Sequence, residues 1–235
     1  MIIHKLIHRH LTHGDDDAFY SMQAEDALRW IKQNRIHVGH GVRVLDLGCG
    51  CGILGEAFDN AGCSVTFSDT HYSLRERMTG KRFVVAKVGE DDLSPLGEFD
   101  IVLFSNVLEH LPDHRAFIAE VGNLIKPGGV LFLSWTNWLS PWGGHDFSPL
   151  HYLGTRIGPA IYDAIRPGKR QHFPFAGLWP VHIGQTMNLI RGTPGLRILA
   201  AAPRYYTELG FLMKIPVARE FLAWNAALII QRIAQ

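Results

Sequence analysis

The sequence has few cysteines, no excess of charge of either sign and no long uninterrupted apolar run. Its 235 residues include 3 cysteines, 23 lysines and arginines, and 22 aspartates and glutamates. So small and odd a number of cysteines argues against a disulfide framework, and we expect a reducing compartment, the cytoplasm. The balanced charge provides no basic stripe for a phosphate backbone, so no nucleic-acid partner is expected.

No segment of the sequence resembles a transmembrane helix. The most apolar stretch near the C-terminus, residues 215–230, is interrupted by Arg219, Glu220 and Asn225, which leaves no clean spanning run. The apolar N-terminus carries several basic and histidine side chains, so it lacks the core of a signal peptide. Residues 1–13 have apolar side chains at helical spacing, which predicts a lid helix or a helix that contacts a membrane surface peripherally.

The remaining pattern predicts one α/β domain over residues 1–235. Apolar residues make up 47% of the chain and charged residues 19%, which is enough for a sizeable core. Strand patterns occupy residues 42–47, 64–69, 83–87, 99–105, 130–135, 196–201 and 226–232. Helix patterns occupy residues 53–61, 117–125, 181–189 and 208–223, the last broken near Pro216, after two N-terminal lid helices within residues 1–34. This alternation favours a doubly wound, mostly parallel, seven-stranded sheet.

Residues 136–180 interrupt the alternation after the fifth strand. They contain six prolines and, with Trp135 at their edge, four of the six tryptophans. A segment of this length predicts a functional cap over a substrate. Its aromatic side chains suit an apolar or sugar-like ligand or, alternatively, a small core of the cap itself. Its basic side chains suit an anionic group or a solvated loop; they are Arg166, Lys169, Arg170 and His172.

A glycine-rich loop follows the first strand and allows a ligand to approach the backbone closely. Residues 50–55 also match the G-x-G-x-x-G motif, and Asp69 lies nineteen residues after Gly50, as in a dinucleotide fingerprint. Asp46, just before the loop, would repel a pyrophosphate but suits the amino group of a methionine moiety. Cys49 and Cys51 in this loop have no second cysteine pair at ligand spacing, so no metal site is expected.

The motifs beyond this loop resemble those of the class I S-adenosylmethionine-dependent methyltransferases. They include the acid Asp69 after the second strand, the run Glu90-Asp91-Asp92, the segment Asn106-Val107-Leu108-Glu109-His110-Leu111 after the fourth strand, and Leu124-Ile125-Lys126-Pro127-Gly128-Gly129. Over residues 40–135 the set is most similar to the branch typified by ubiquinone and menaquinone biosynthesis enzymes. The second half is similar to a group of actinobacterial methyltransferases whose acceptor is unassigned.

This resemblance implies a Rossmann-like fold, S-adenosylmethionine as cofactor and a set of binding residues. Asp46, Gly48 and Gly50 would line the methionine part of the cofactor. Asp69 would accept both ribose hydroxyls, as a carboxylate can. Either Glu90 or Asp91 would meet the adenine amino group. Asn106 would lie beside the cofactor, near the transferred methyl group.

Two histidines are candidate catalytic residues. His145 follows two glycines and is a candidate base or acceptor-orienting residue, or else it holds the cap by hydrogen bonds. His110 is a second candidate, with packing as its alternative role. We expect methyl transfer to an oxygen of a small-molecule, lipid-linked or glycan acceptor. The alternatives are an NAD(P)-dependent oxidoreductase and a non-catalytic cofactor-binding protein of the same fold.

Overall fold

Seven strands form a single sheet at the centre of the molecule. The computed structural model describes residues 1–233, so the last two residues of the predicted domain lie outside the described part. The strands are β1 (Arg43–Leu47), β2 (Ser64–Asp69), β3 (Phe83–Val85), β4 (Phe99–Ser105), β5 (Ile125–Thr136), β6 (Leu196–Pro203) and β7 (Asn225–Arg232). The helices are α1 (Ile3–His13), α2 (Asp17–Gln33), α3 (Ile53–Asn60), α4 (His114–Asn123), α5 (Gly154–Ile165), α6 (Ile183–Arg191) and α7 (Ala218–Leu222).

The strand order is β3-β2-β1-β4-β5-β7-β6. Strands β1 to β5 pair in parallel, and β7 pairs antiparallel with both β5 and β6. Side chains from both faces are buried: Leu45 and Leu47 of β1 belong to one apolar cluster and Val44 to another. A strand covered on both faces has a continuous apolar sequence. The predicted Rossmann-like, mostly parallel seven-stranded sheet is therefore confirmed.

The two N-terminal helices lie at the predicted positions. The Asp16 side chain caps α2 by accepting a hydrogen bond from the Phe19 N–H at 3.0 Å, which satisfies a donor that the first turn cannot pair. Helix α1 buries Leu6 against Tyr205 and Tyr206, which follow β6. This packing holds α1 over the carboxyl end of the sheet.

Two predicted helices have different limits. The helix predicted over residues 117–125 begins at His114, because Asp113 caps its first turn, and Ile125 instead starts β5 by pairing with Phe99. The glycine-rich residues 126–129 therefore lie in the strand and do not close the helix. The helix predicted over residues 208–223 is a 3-10 segment, Thr207–Lys214, followed by the short α7.

The segment between β5 and α6 folds against its own small core. It contains 3-10 turns at His145–Phe147 and Leu150–Leu153, followed by α5. Trp138, Phe147, Tyr162 and Leu178 form a separate buried cluster. Part of the aromatic content of this segment is thus used for its own packing. Among the described residues, the helices are all too short or too polar to cross a membrane.

Candidate active site

The order in which successive strands are added to the sheet reverses between β1 and β4. These two strands are neighbours in space although β2 and β3 lie between them in sequence. Ligands of open α/β sheets bind outside the carboxyl ends of the strands at such a switch point. The glycine loop follows β1 at this point, and Asn106 follows β4. The topology therefore brings together two sequence motifs that are about sixty residues apart.

The end of β2 anchors the glycine loop. The N–H groups of Gly48 and Cys49 both donate to the Ser68 carbonyl, at 2.8 and 3.0 Å. The Gly50 N–H donates to the Asp69 carboxylate at 2.7 Å, and the Thr70 N–H donates to the other oxygen of that carboxylate at 2.7 Å. Asp69 thus orders the loop.

Asp46 is the buried acid of the site. Its carboxylate accepts a hydrogen bond from the Gly55 N–H at 2.8 Å, and its side chain is almost fully shielded from solvent. Burial raises the pKa of Asp46 to about 7, with a smaller contribution from the negative charge of Asp69. A cationic ligand group near this carboxylate would favour its ionised form.

The glycines in and directly after the loop are needed for different structural reasons. A Cβ on Gly48 would lie 2.6 Å from a methyl group of Val107, and a Cβ on Gly55 would lie 2.5 Å from the Phe67 ring. Gly50 has φ +52°, and a Cβ there would meet nothing within 4 Å. Gly48 and Gly55 are therefore required by packing, whereas Gly50 borders open space beside Asp69.

The two candidate adenine acids lie in the turn after β3. Asp91 accepts a hydrogen bond from the Lys87 N–H at 2.7 Å, so its carboxylate holds the turn. Glu90 is exposed and pairs with the Lys87 ammonium at 2.6 Å. Glu90 is the freer of the two carboxylates to meet a ligand.

Asn106 lies directly after β4 in a left-handed backbone conformation, with φ +56°. Its N–H donates to the Ser134 carbonyl at 2.8 Å. Its side-chain oxygen accepts a hydrogen bond from the buried Arg204 guanidinium at 3.2 Å. Arg204 therefore orients Asn106, a role that sequence analysis did not assign. An arginine directly after the apolar part of β6 was its only visible signal.

A cavity of about 340 Å³ opens beside Asn106. The N-terminal helices α1 and α2, the start of the cap and the ends of β5 and β7 enclose it. Its walls are largely apolar and aromatic, and include Phe19, Trp142, Tyr205 and Trp224, while Asn106 and His145 are among its polar residues. The predicted cofactor residue Asn106 and the predicted catalytic residue His145 thus line the same cavity.

His145 is a half-buried imidazole that begins the first 3-10 turn of the cap, His145–Phe147. Its Nδ1 is shielded from solvent and lacks a hydrogen-bond partner among the described residues. Burial, together with the neighbouring His172 and His110, lowers the pKa of His145 to about 4. The imidazole is therefore neutral at physiological pH. Its ring lies close to that of His110, with the centroids 5.4 Å apart.

His110 ends a 3-10 turn after β4. Its Nδ1 lies 2.6 Å from the Gly177 carbonyl oxygen and joins the β4 loop to the end of the cap. The preceding Glu109 is buried, and one of its carboxylate oxygens accepts a hydrogen bond from the Thr136 N–H at 2.9 Å. Burial raises the pKa of Glu109. Glu109 could not be recognised as a site residue from the sequence, because nothing in the surrounding pattern indicates burial.

Other polar residues of the cap have structural partners. The Nε2 atom of the buried His151 lies 3.0 Å from the Ser140 carbonyl oxygen. Arg170 is bound by both oxygens of Asp163, at 2.9 and 2.7 Å, so its charge is already paired. The expectation that Arg170 holds an anionic acceptor group is therefore not supported by its contacts.

The family model and two relatives that match this chain are described as methyltransferases. A family model described as a methyltransferase domain matches residues 5–175. A Mycolicibacterium vanbaalenii protein named an uncharacterized methyltransferase is 31% identical over 227 residues, which is 92% of this chain and 88% of the relative. A second relative, an uncharacterized methyltransferase of Mycobacterium leprae, is 32% identical over 196 residues, or 80% of this chain and 71% of the relative.

Solved structures share the fold at low sequence identity. The S-adenosylmethionine-dependent methyltransferase from Mesorhizobium loti is 20% identical and has a TM-score of 0.53, with 88% of this chain and 98% of that chain covered. The magnesium protoporphyrin IX methyltransferase of Synechocystis PCC 6803, solved with bound SAH, is 16% identical, with a TM-score of 0.54 and coverage of 91% and 83%.

Proposed function

This chain belongs to the S-adenosylmethionine-dependent methyltransferases, and on that premise we propose that it methylates an oxygen atom of an apolar small-molecule or lipid-linked acceptor. The observation that carries this proposal is the shared cavity of Asn106 and His145. One is the predicted neighbour of the transferred methyl group, and the other is a neutral imidazole that can accept a proton.

We assign the cofactor to the switch point between β1 and β4. Asp46 would hold the cationic methionine end, and Gly48 and Gly50 would allow the backbone to approach it. Support comes from the open space beside Gly50 and from the carboxylate of Asp69, 2.7 Å from the Gly50 nitrogen. Glu90 is our candidate for the adenine amino group, because Asp91 is engaged with the backbone of its own turn.

The acceptor is proposed to bind in the cavity beneath α1. A volume of about 340 Å³ lies within the usual range for small-molecule pockets, roughly 300 to 1,000 Å³. Aromatic walls such as Phe19, Trp142 and Trp224 favour an apolar body over a glycan. The lipid-linked alternative remains attractive because Leu11, on the last turn of α1, is both a wall of this cavity and 76% exposed.

S-adenosylmethionine supplies an activated methyl group, so the protein's task is to align the nucleophile and control its proton. Asn106 and the cavity walls would orient the acceptor at near-attack distance. A hydroxyl nucleophile must lose its proton, and a neutral imidazole within reach can take it. His145 is neutral above a pH of about 4, so it is competent to accept that proton, although it is a weak base.

The family assignment favours methyl transfer over nicotinamide chemistry, and calorimetry tests this directly. We expect S-adenosylhomocysteine to bind and NADH not to bind. Binding of NADH alone would overturn the proposal. A protein that binds S-adenosylhomocysteine but never turns over would instead be the non-catalytic alternative.

Turnover is tested by following labelled methyl groups from S-adenosylmethionine across lipid, glycan and small phenolic extracts. With the acceptor found, His145→Asn should reduce kcat by roughly 100-fold or more and leave S-adenosylhomocysteine affinity unchanged. Phe175→Ala is the matched control, since Phe175 is 61% exposed in the same cap and does not line the cavity. Equal activity of the two variants would remove His145 from the chemistry.

The cytoplasm is the compartment we propose for this reaction. Cys49, Cys51 and Cys63 are all free thiols, and a reducing environment keeps thiols in this state.

A further inference from the structure

Three side chains with metal-ligand chemistry meet at the junction of the β4 loop and the cap. Glu109, His110 and His145 each offer one ligand atom, and these three atoms lie within 4.8 Å of one another. Glu109 and His110 come from the turn after β4, whereas His145 comes from the cap 35 residues later. The cluster therefore exists only in the folded chain, and sequence spacing gave no sign of it.

Two atoms of this cluster are buried without a partner. One oxygen of Glu109 accepts the Thr136 N–H, but its Oε2 lacks any hydrogen bond, and so does Nδ1 of His145. Glu109 is only 1% exposed. A buried carboxylate oxygen without a donor is costly. In a charge-relay pair, the carboxylate and the imidazole would be joined by a hydrogen bond. Within residues 1–233, no hydrogen bond joins the three side chains to one another.

The surroundings of the cluster orient one of its two imidazoles. His110 Nδ1 lies 2.6 Å from the Gly177 carbonyl oxygen, so Nδ1 carries the proton and the lone pair of the neutral ring is on Nε2. Histidine ligands of metals commonly donate their other ring N–H to a carbonyl or carboxylate in this way. The neighbouring His172 has the same arrangement, with Nδ1 3.0 Å from the Asp146 carboxylate and its ring 4.6 Å from that of His145.

We propose that Glu109, His110 and His145 bind a divalent transition-metal ion, with Zn²⁺ the best match. Two imidazoles and one carboxylate form a ligand set that is typical of zinc sites with an open coordination position. Tetrahedral zinc brings ligand atoms to roughly 3.3 Å from one another, so an ion bound here would draw the three ligand atoms closer together than their present limit of 4.8 Å. His145 also lines the cavity proposed for the acceptor, so an ion held by His145 would lie at the wall of that cavity.

The catalytic consequence of this site rests on the proposed function. An ion at the cavity wall would lower the pKa of an acceptor hydroxyl bound to it. The hydroxyl proton would leave to water, and His145 would act as a ligand in place of a base. Metal binding itself does not depend on the identity of the acceptor.

Zinc calorimetry on chelator-treated, dialysed protein tests the site. We expect one tight Zn²⁺ site in the wild type, and roughly 100-fold weaker binding after His145→Asn or Glu109→Gln. Glutamine at position 109 keeps an acceptor for the Thr136 N–H while removing the charge. If the substitution of the buried Glu109 prevents folding, His145→Asn alone tests whether the cluster binds zinc.

The competing explanation is a surface site on α1. His4 and His8 are four residues apart and exposed, and they do not line the cavity. The double variant His4→Ala, His8→Ala should keep the tight site. Loss of tight binding in this control, or unchanged binding in His145→Asn, would overturn the proposal.

Two further measurements separate the metal site from the methyltransferase assignment. Co²⁺ bound in place of Zn²⁺ should show the visible absorption of a low-symmetry site, and His145→Asn should abolish it. S-adenosylhomocysteine affinity should be the same in the wild type and His145→Asn. If the wild type binds Zn²⁺ but not S-adenosylhomocysteine, the metal site stands and the proposed function fails.

Discussion

The Asp46 carboxylate accepts a hydrogen bond from the Gly55 N–H at 2.8 Å, which joins the end of β1 to the first turn of α3. This contact crosses the glycine loop and fixes its width. It also explains why the same stretch matches a dinucleotide motif: Gly55 is required by the close approach of Asp46 and Phe67, whatever ligand the loop holds. We propose that the ligand preference resides in the Asp46 carboxylate.

The titration of Asp46 predicts how stability depends on pH. Its pKa is about 7 in the folded protein and 3.8 in the reference state, so folding favours the protonated form. The stabilisation is complete below pH 3.8 and is lost as pH rises through about 7. Over that window it amounts to on the order of 4 kcal/mol. Asp69 and Cys49 are the titratable groups beside it.

Asp46→Asn should therefore be more stable than the wild type at pH 8, with the difference disappearing near pH 4. Thermal melting of both proteins across this range measures it. The same variant should bind S-adenosylhomocysteine more weakly at pH 8, because the charge opposite the ligand's amino group is gone. A stability difference that does not change with pH would contradict the assignment.

Alanine substitutions at Gly50 in the glycine loop and at Gly55 in the first turn of α3 should have different effects. Gly50→Ala introduces a Cβ into open space at φ +52°, which should cost only about 1 to 2 kcal/mol but should obstruct the ligand. Gly55→Ala forces a Cβ to within 2.5 Å of Phe67 and 2.8 Å of the Asp46 carboxylate, so it should lower the melting temperature strongly. Melting curves with and without S-adenosylhomocysteine separate the two effects. If Gly50→Ala weakens S-adenosylhomocysteine binding no more than Gly55→Ala does for the same loss of stability, Gly50 has no binding role.

The cavity predicts which aromatic residue of the cap affects the acceptor. Trp142 lines the cavity, and its ring lies 4.9 Å from that of Trp224. Trp142→Ala should raise the KM for the acceptor by about tenfold and leave that for S-adenosylmethionine unchanged, because the lost apolar contact serves only the acceptor. Steady-state kinetics with both substrates measure this. If the exposed Phe175→Ala has the same effect, the acceptor does not bind where we propose.

Most of the fold could be predicted from the sequence because its signals are local. The buried strand before the loop, the Asp16 cap and the glycine turn each depend on residues within a few positions of one another. The limits of α4 were wrong because Ile125 pairs with Phe99 on β4. That pairing is set by the sheet, and helical periodicity over residues 117–125 cannot reveal it.

The placement of Asp46, Asp69 and Asn106 at the carboxyl ends of β1, β2 and β4 could be predicted, because each lies in the last residues of a strand or directly after it. Arg204 and Glu109 were missed since their roles come from tertiary burial. Arg204 lies 98 residues from the Asn106 that it orients, and Glu109 meets His145 only through the folded cap. Contacts of this kind leave no periodic or spacing signal in one sequence.

Asp69 gives the sharpest test of the cofactor site, since Asp92, an exposed acid 23 residues later in the chain, provides a matched control. One Asp69 oxygen accepts the Gly50 N–H, and the other accepts the Thr70 N–H. In Asp69→Asn the amide oxygen can accept only one of these two hydrogen bonds, because the NH₂ group cannot accept the other, and the proposed bidentate contact with the ribose is lost. We expect S-adenosylhomocysteine affinity to fall at least about tenfold, or roughly 1.4 kcal/mol, as measured by calorimetry. Asp92→Asn removes the same charge from an exposed turn that Asp92 caps through Ser94, and it should leave affinity within about twofold. A similar loss in both variants would mean that long-range charge, rather than the two oxygens of Asp69, governs binding.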